Sequence, residues 1–218
     1  MNDLSCWKSK FKTCCYSEQL LEKLFSKNVA STRKINIVEV KKAIYYAKKY
    51  HGTQMRQSGE PYYSHPLEVA YLIADHVFET NIIVTSILHD TIEDTELTLE
   101  MVDTIFGPVV ASQVEDLTRV KKDRKISSAE MVESLWGQKK YLVLQIKQFD
   151  RLHNMRTIKS KSSEKIKKII EETMTTFLML SAYFEQPTIE NELHQLCLNA
   201  MTIDTQCPHF YPQDPYSY

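Results

Sequence analysis

The sequence predicts an all-α protein, on three observations. Glycine is scarce, with four in 218 residues, against an average usage of about 7%. Sheets rely on glycine at turns and bulges, so the scarcity favours helices. Apolar residues recur at helical spacing along most of the chain, and no stretch alternates convincingly with period two.

The elements follow in order. Residues 1–19 carry Trp7, Phe11 and the Cys14–Cys15 pair without periodicity, and are expected to form a loose arm. Leu20, Leu21, Leu24 and Phe25 predict a short helix, which completes an arm over residues 1–34. The compact domain is expected over residues 35–201. Val40, Ala43, Ile44 and Ala47 mark its first helix, with Gly52 as the C-terminal cap. The next helix starts at His65, read as the N-cap, with Pro66 in the first turn and Glu68 at the capping-box position.

A third helix runs from about Ile82 and buries Val84, Ile87, Leu88 and Ile92. Leu99, Val102, Ile105 and Phe106 predict a short helix stopped by Gly107-Pro108, and Val110, Val114 and Leu117 continue the pattern. Residues 119–128 are basic and polar and read as a loop. Helices resume through Leu142, Val143 and Ile146, then through Ile166, Ile170, Met174, Phe177 and Leu178, and last through Leu193, Leu196, Cys197 and Ala200. The segment 202–218 is rich in Pro and Tyr and is expected to be irregular.

Composition narrows the function. The formal net charge is −1, which argues against a broad nucleic-acid surface. No glycine pair has the spacing of a P-loop or a dinucleotide-binding fingerprint, so nucleotide binding must use side chains. The five cysteines include no C-x-x-C pair; a disulfide framework or zinc finger fits poorly and a reducing cytoplasm fits better. Residues 1–30 hold no sustained apolar run, so neither a signal peptide nor a membrane span is expected.

The chemistry concentrates in two segments and one histidine. His89-Asp90-Thr91-Ile92-Glu93-Asp94 places four ionisable groups within six residues, directly after the apolar Ile87-Leu88. In a helix, His89 and Glu93 stack on one side, as do Asp90 and Asp94. A solvated helix end is the plain alternative, but charges beside a core need a partner, and a metal ion is an economical one. Asp150-Arg151-Leu152-His153-Asn154-Met155-Arg156-Thr157 is a second polar run, on its own an ordinary surface helix. With His65, beside the Ser58-Gly59-Glu60-Pro61-Tyr62 loop, it completes a set of two His and two Asp. His51, His76, His194 and His209 are read as structural. A mixed nitrogen and oxygen donor set suits Mn²⁺, Fe²⁺ or Zn²⁺. A bound cation lowers the pKa of water, and Glu93 and Asp94, not needed as ligands, are placed to deprotonate it.

Three segments carry a family resemblance. Arg56-Gln57-Ser58-Gly59-Glu60-Pro61-Tyr62 with His65-Pro66, then His89 to Thr95, then Asp150 to Thr157 resemble the hydrolase domain of RelA/SpoT homologues, within the HD phosphohydrolase superfamily. The likeness runs from about residue 38 to 200. It implies an HD-domain helical bundle and hydrolysis of the 3′-pyrophosphate of (p)ppGpp to GDP or GTP. By the same resemblance Mn²⁺ is held by His65, His89, Asp90 and Asp150, with Glu93 and Asp94 as the catalytic acids. Arg56 is expected to stack on guanine, with Ser58, Asn154 and Thr157 lining the pocket. On charge alone, basic residues among Arg119, Lys121, Lys122 and Arg124 are expected to help screen phosphates, with a solvated basic loop as the plain alternative.

Three departures stand out. Gln57 occupies a position that is usually basic, Gln148-Phe149 replace the usual Leu-Ala before Asp150, and the family's basic stretch is absent around residues 130–140. The chain ends where the family's synthetase domain would begin, so alarmone synthesis is not expected. The expected partner is a small guanine nucleotide, with no nucleic acid and no membrane. Hydrolysis of another phosphorylated nucleotide, such as NADPH or a nucleoside polyphosphate, and a non-catalytic binding role remain the alternatives.

Overall fold

The computed structural model describes residues 6–121 and 124–204. It is an all-α bundle, and the only strands among the described residues are two of two residues each. The described chain falls into two compact units that divide between His153 and Asn154.

The first unit opens with α1 (Trp7–Lys10) and α2 (Cys15–Ala30). Leu20 and Leu24 are fully buried and α2 packs on α4. The segment expected as a loose arm with a short helix is therefore a four-turn helix that belongs to the core. Helix α3 (Ile37–His51) starts where the Asn36 side chain accepts hydrogen bonds from the amides of Val38 and Glu39. It buries Val40, Ala43, Ile44 and Ala47 and stops at Gly52, whose φ of 51° suits glycine.

Helix α4 (Ser64–Ile73) begins two residues earlier than expected. Its N-cap is Tyr63, and His65 lies inside the first turn with its side chain buried. The turn before it already anchors this end, because the Ser64 and His65 amides donate to the carbonyls of Pro61 and Tyr62. Helix α5 (Thr80–Leu88) is buried along most of its length. It does not run on through the acidic motif. His89 Nδ1 donates to Ser86 O at 2.7 Å and Thr91 Oγ1 to Leu88 O at 2.6 Å, so side chains cap the last carbonyls of α5. A single turn, α6 (Thr91–Asp94), follows.

Helices α7 (Leu99–Phe106) and α8 (Pro108–Leu117) form a pair. Thr98 caps α7, and Gly107, at φ 86°, joins it to Pro108 at the first position of α8. The basic segment expected as a loop is a small hairpin. Here β1 (Val120–Lys121) pairs antiparallel with β2 (Arg124–Lys125), and the Ile126 amide donates to Arg119 O. Helix α9 (Ser128–Gly137), not anticipated from the sequence, opens with a reciprocal Ser127–Glu130 capping box. Helix α10 (Tyr141–Arg156) carries the second polar motif.

In the second unit, α11 (Ser163–Glu172) passes through a π-helical turn at Thr173–Phe177 into α12 (Leu178–Tyr183), and α13 (Pro187–Asp204) packs on both. Arg156 meets Glu192 through two hydrogen bonds, at 2.7 and 2.9 Å. The segment expected to be irregular from residue 202 begins inside α13, and residues 205–218 lie outside the described residues. Among the described residues no helix is long and apolar enough to cross a membrane. Cys6, Cys14, Cys15 and Cys197 are free thiols.

Candidate metal centre and active site

Three separate places in the chain bring one set of donors together. His65 comes from the first turn of α4, His89 and Asp90 from the break between α5 and α6, and Asp150 from α10. His65, His89 and Asp150 are buried, and each offers a donor atom within 4.8 Å of the others. His65 Nε2 lies 3.1 Å from Asp150 Oδ1 and 3.5 Å from Asp90 Oδ2. Asp90 also reaches the other imidazole, with Oδ1 3.0 Å from His89 Nε2.

That last contact is close in distance but lacks hydrogen-bond geometry, and His89 Nε2 is buried without a hydrogen-bond partner. Because Nδ1 donates to Ser86 O, the neutral ring carries its lone pair on Nε2, aimed into the cluster. A buried lone pair among carboxylates is what a cation site requires, so the residues fit a divalent metal. The electrostatics agree. Burial opposes charge on His89, but the Asp90 and Asp150 carboxylates outweigh it and push the imidazole up to about 9. The pocket thus favours positive charge. His65 is lowered by burial. Burial also opposes ionisation of Asp150, yet Lys147 and the histidines hold it well below the usual carboxylate range.

Helix α10 supplies more than the ligand. Lys147 Nζ sits 2.5 Å from Asp150 Oδ2, leaving Oδ1 toward His65. His65 Nδ1 faces His153 Nδ1 at 2.9 Å. Lys147, Asp150 and His153 are three apart and share one face of the helix. Neither Lys147 nor His153 was assigned a role from sequence, although that spacing was there to read. The Phe149 ring is buried, 4.8 Å from the His76 ring.

The acidic pair lies in and beside this centre. Glu93 Oε2 accepts from the Arg119 amide at 3.2 Å, and Oε1 pairs with Lys125 of the hairpin. Asp94 Oδ2 accepts from the Tyr62 hydroxyl, and Asp94 O from Gln54 Nε2 at 2.9 Å. Gln54 in turn meets His51 Nδ1 at 2.9 Å, and the His51 ring stacks on Tyr62 at 4.7 Å. Burial raises the Asp94 carboxyl above its ordinary value despite the Tyr62 hydrogen bond, which makes it a better proton acceptor.

The remaining expected residues lie on other elements. Arg56 and Ser58 sit on the Gln54–Tyr62 turn, where the Arg56 amide donates to Glu60 O and Ser58 Oγ to Glu60 Oε2. Asn154 and Thr157 belong to the second unit. Of the residues expected to screen phosphates, Arg119 uses Nε to hold Ile126 O at 2.9 Å and Arg124 pairs with Glu130. Lys122 lies outside the described residues, and Lys125, not expected, is the hairpin cation that meets Glu93.

The HD-domain family model matches residues 43–183. A GTP pyrophosphokinase rsh of Brucella ovis is 38% identical over 176 residues, which cover 78% of this chain and 24% of that protein. The guanosine-3′,5′-bis(diphosphate) 3′-pyrophosphohydrolase of Aquifex aeolicus is 38% identical over 158 residues, 71% of this chain and 23% of that protein. The chain thus spans about a quarter of the length of these curated relatives. A solved structure described as a metazoan orthologue of SpoT that hydrolyses ppGpp shares the fold, with a TM-score of 0.64 at 19% identity, covering 78% of this chain and 98% of that one.

Proposed function

The chain belongs to the HD-domain family, and from that premise we propose that it removes the 3′-pyrophosphate of (p)ppGpp, releasing GDP or GTP. The cofactor we propose is Mn²⁺, held by His65, His89, Asp90 and Asp150, in the cytoplasm. The observation that carries the reading is His89 Nε2, buried without a hydrogen-bond partner and set 3.0 Å from Asp90 Oδ1 and 3.9 Å from Asp150 Oδ1. The name of the Aquifex aeolicus relative supports the choice of substrate.

When bound, the divalent cation would supply Lewis acidity, making a water acidic and screening phosphate charge. The chain's own groups supply the rest. Asp94, with Oδ2 held by Tyr62, and Glu93 orient the attacking water and take its proton. Lys125 and the Arg119 backbone keep the Glu93 carboxylate in a fixed position. Arg56, on the Gln54–Tyr62 turn, stacks its guanidinium on guanine, and Ser58 completes that edge of the pocket.

A substrate panel tests the assignment. Purified protein with Mn²⁺ is offered ppGpp, pppGpp, GTP and NADPH, and the nucleotides are separated by chromatography. Turnover of ppGpp and pppGpp alone supports the proposal. Turnover of NADPH with ppGpp untouched assigns the same centre to another nucleotide and overturns it.

A further inference from the structure

The His65–His153 contact holds more information than a hydrogen bond between two rings. Both partners present Nδ1, at 2.9 Å, so one must donate and the other accept. The opposite edge of His65 decides which. Its Nε2 lies 3.1 Å from Asp150 Oδ1, and a carboxylate only accepts. Without a cation, His65 therefore carries its proton on Nε2 and donates to Asp150. Its Nδ1 is then the acceptor, and His153 Nδ1–H is the donor.

A cation reverses this. Resting on the reading of His65 as a ligand, Nε2 must offer its lone pair, and the ring's single proton moves to Nδ1. His153 Nδ1 must then accept, and its own proton moves to Nε2. We propose that His153 is a positioning residue for the metal centre that exchanges tautomer with His65 when the cation binds. Two protons sit on four ring nitrogens before and after, so the pair accepts the ion with no net proton release and both rings neutral.

The geometry favours a residue that can reverse. His153 is nearly buried, 9% exposed, and lies one helical turn from Asp150, whose other oxygen is held by Lys147 at 2.5 Å. A fixed carboxylate at 153 could accept from the metal-loaded His65 but would repel its lone pair in the cation-free state. A fixed donor would do the reverse. Imidazole serves both states, and so does a carboxamide that rotates by half a turn.

Two measurements test this. In protein labelled with ¹⁵N-histidine, long-range ¹H–¹⁵N spectra report which nitrogen of each ring is protonated, and Zn²⁺ serves as a diamagnetic probe. The expected result is that adding Zn²⁺ moves the His153 proton from Nδ1 to Nε2; a tautomer unchanged by bound Zn²⁺ overturns the inference. In chelator competition with Mn²⁺, His153→Leu should bind about 10- to 100-fold more weakly, the usual range for a lost partner of a ligating histidine. His153→Asn, whose side chain places an oxygen or an amide near the Nδ1 position, should recover most of that loss. Parent-like affinity in His153→Leu overturns the inference, and if that variant does not fold, the parent spectra decide. A parent that binds neither ion overturns the ligand assignment itself, and this inference with it.

Discussion

Glu93 and Asp94 lie side by side but are held differently, Glu93 by a lysine and a backbone amide and Asp94 by the hydroxyl of the half-buried Tyr62. Neither belongs to the proposed ligand set, so replacing one should separate chemistry from metal binding. General bases contribute about 10² to 10⁴ in rate, and Glu93→Gln should lower kcat by about that factor. Metal content and KM should change little, the pattern of an interaction made in the transition state; single-turnover rates at matched Mn²⁺ occupancy check it, and parent-like rates contradict it. Arg56→Ala should instead raise KM for ppGpp with kcat largely kept, because stacking on guanine acts before and during reaction alike. An unchanged KM removes the stacking role. At this scale the sequence was readable where chemistry is local. His89, Asp90, Glu93 and Asp94 declare themselves as charges set against an apolar run. His153 did not, because its role depends on a contact with His65, 88 residues away in sequence, and Lys147, three residues from Asp150, reads on its own as part of an ordinary polar helix face.

Gly107 shows how an element boundary is fixed by backbone geometry alone. At φ 86° and ψ 169° it occupies a region open essentially to glycine, and an added Cβ would meet no atom within 4 Å. Gly107→Ala should therefore destabilise through strain without a clash, by about 1–3 kcal/mol, seen as a lower urea midpoint with an unchanged slope. A midpoint equal to the parent's contradicts the assignment. The Gly107-Pro108 stop was plain in the sequence for the same reason that it is rigid in the structure. Other boundaries were harder. The break after Leu88 comes from His89 and Thr91 capping the preceding carbonyls, a competition that apolar periodicity does not record. Helix α9 was missed beside a basic stretch, although Ser127 and Glu130 carry a capping-box signature. His65, read as an N-cap, is instead inside α4, because backbone hydrogen bonds from the preceding turn anchor that end.

For the whole molecule, scarce glycine and helical periodicity were enough to give the all-α class, since both reflect the same backbone preference everywhere along the chain. The division between His153 and Asn154 was not readable, because it falls inside the continuous helix α10 with no linker composition to mark it. A cation that draws donors from α4, the α5–α6 break and α10 also ties these elements together, so binding should stabilise the folded state. By mass action the gain is about 2.7 kcal/mol at a free ion concentration 100 times Kd, and Mn²⁺ should raise the Tm of the parent. Asp90→Ala removes the carboxylate that contacts both imidazoles, so its Tm should not respond; an equal rise in the variant contradicts the ligand set. The central claim is tested most directly by following ppGpp with ³¹P NMR in the presence of the protein, with and without Mn²⁺. The account predicts loss of the 3′-diphosphate signals and appearance of free pyrophosphate, with the 5′-diphosphate intact, only when Mn²⁺ is present. Intact ppGpp with Mn²⁺ bound, or loss of the 5′-phosphates instead, would contradict it.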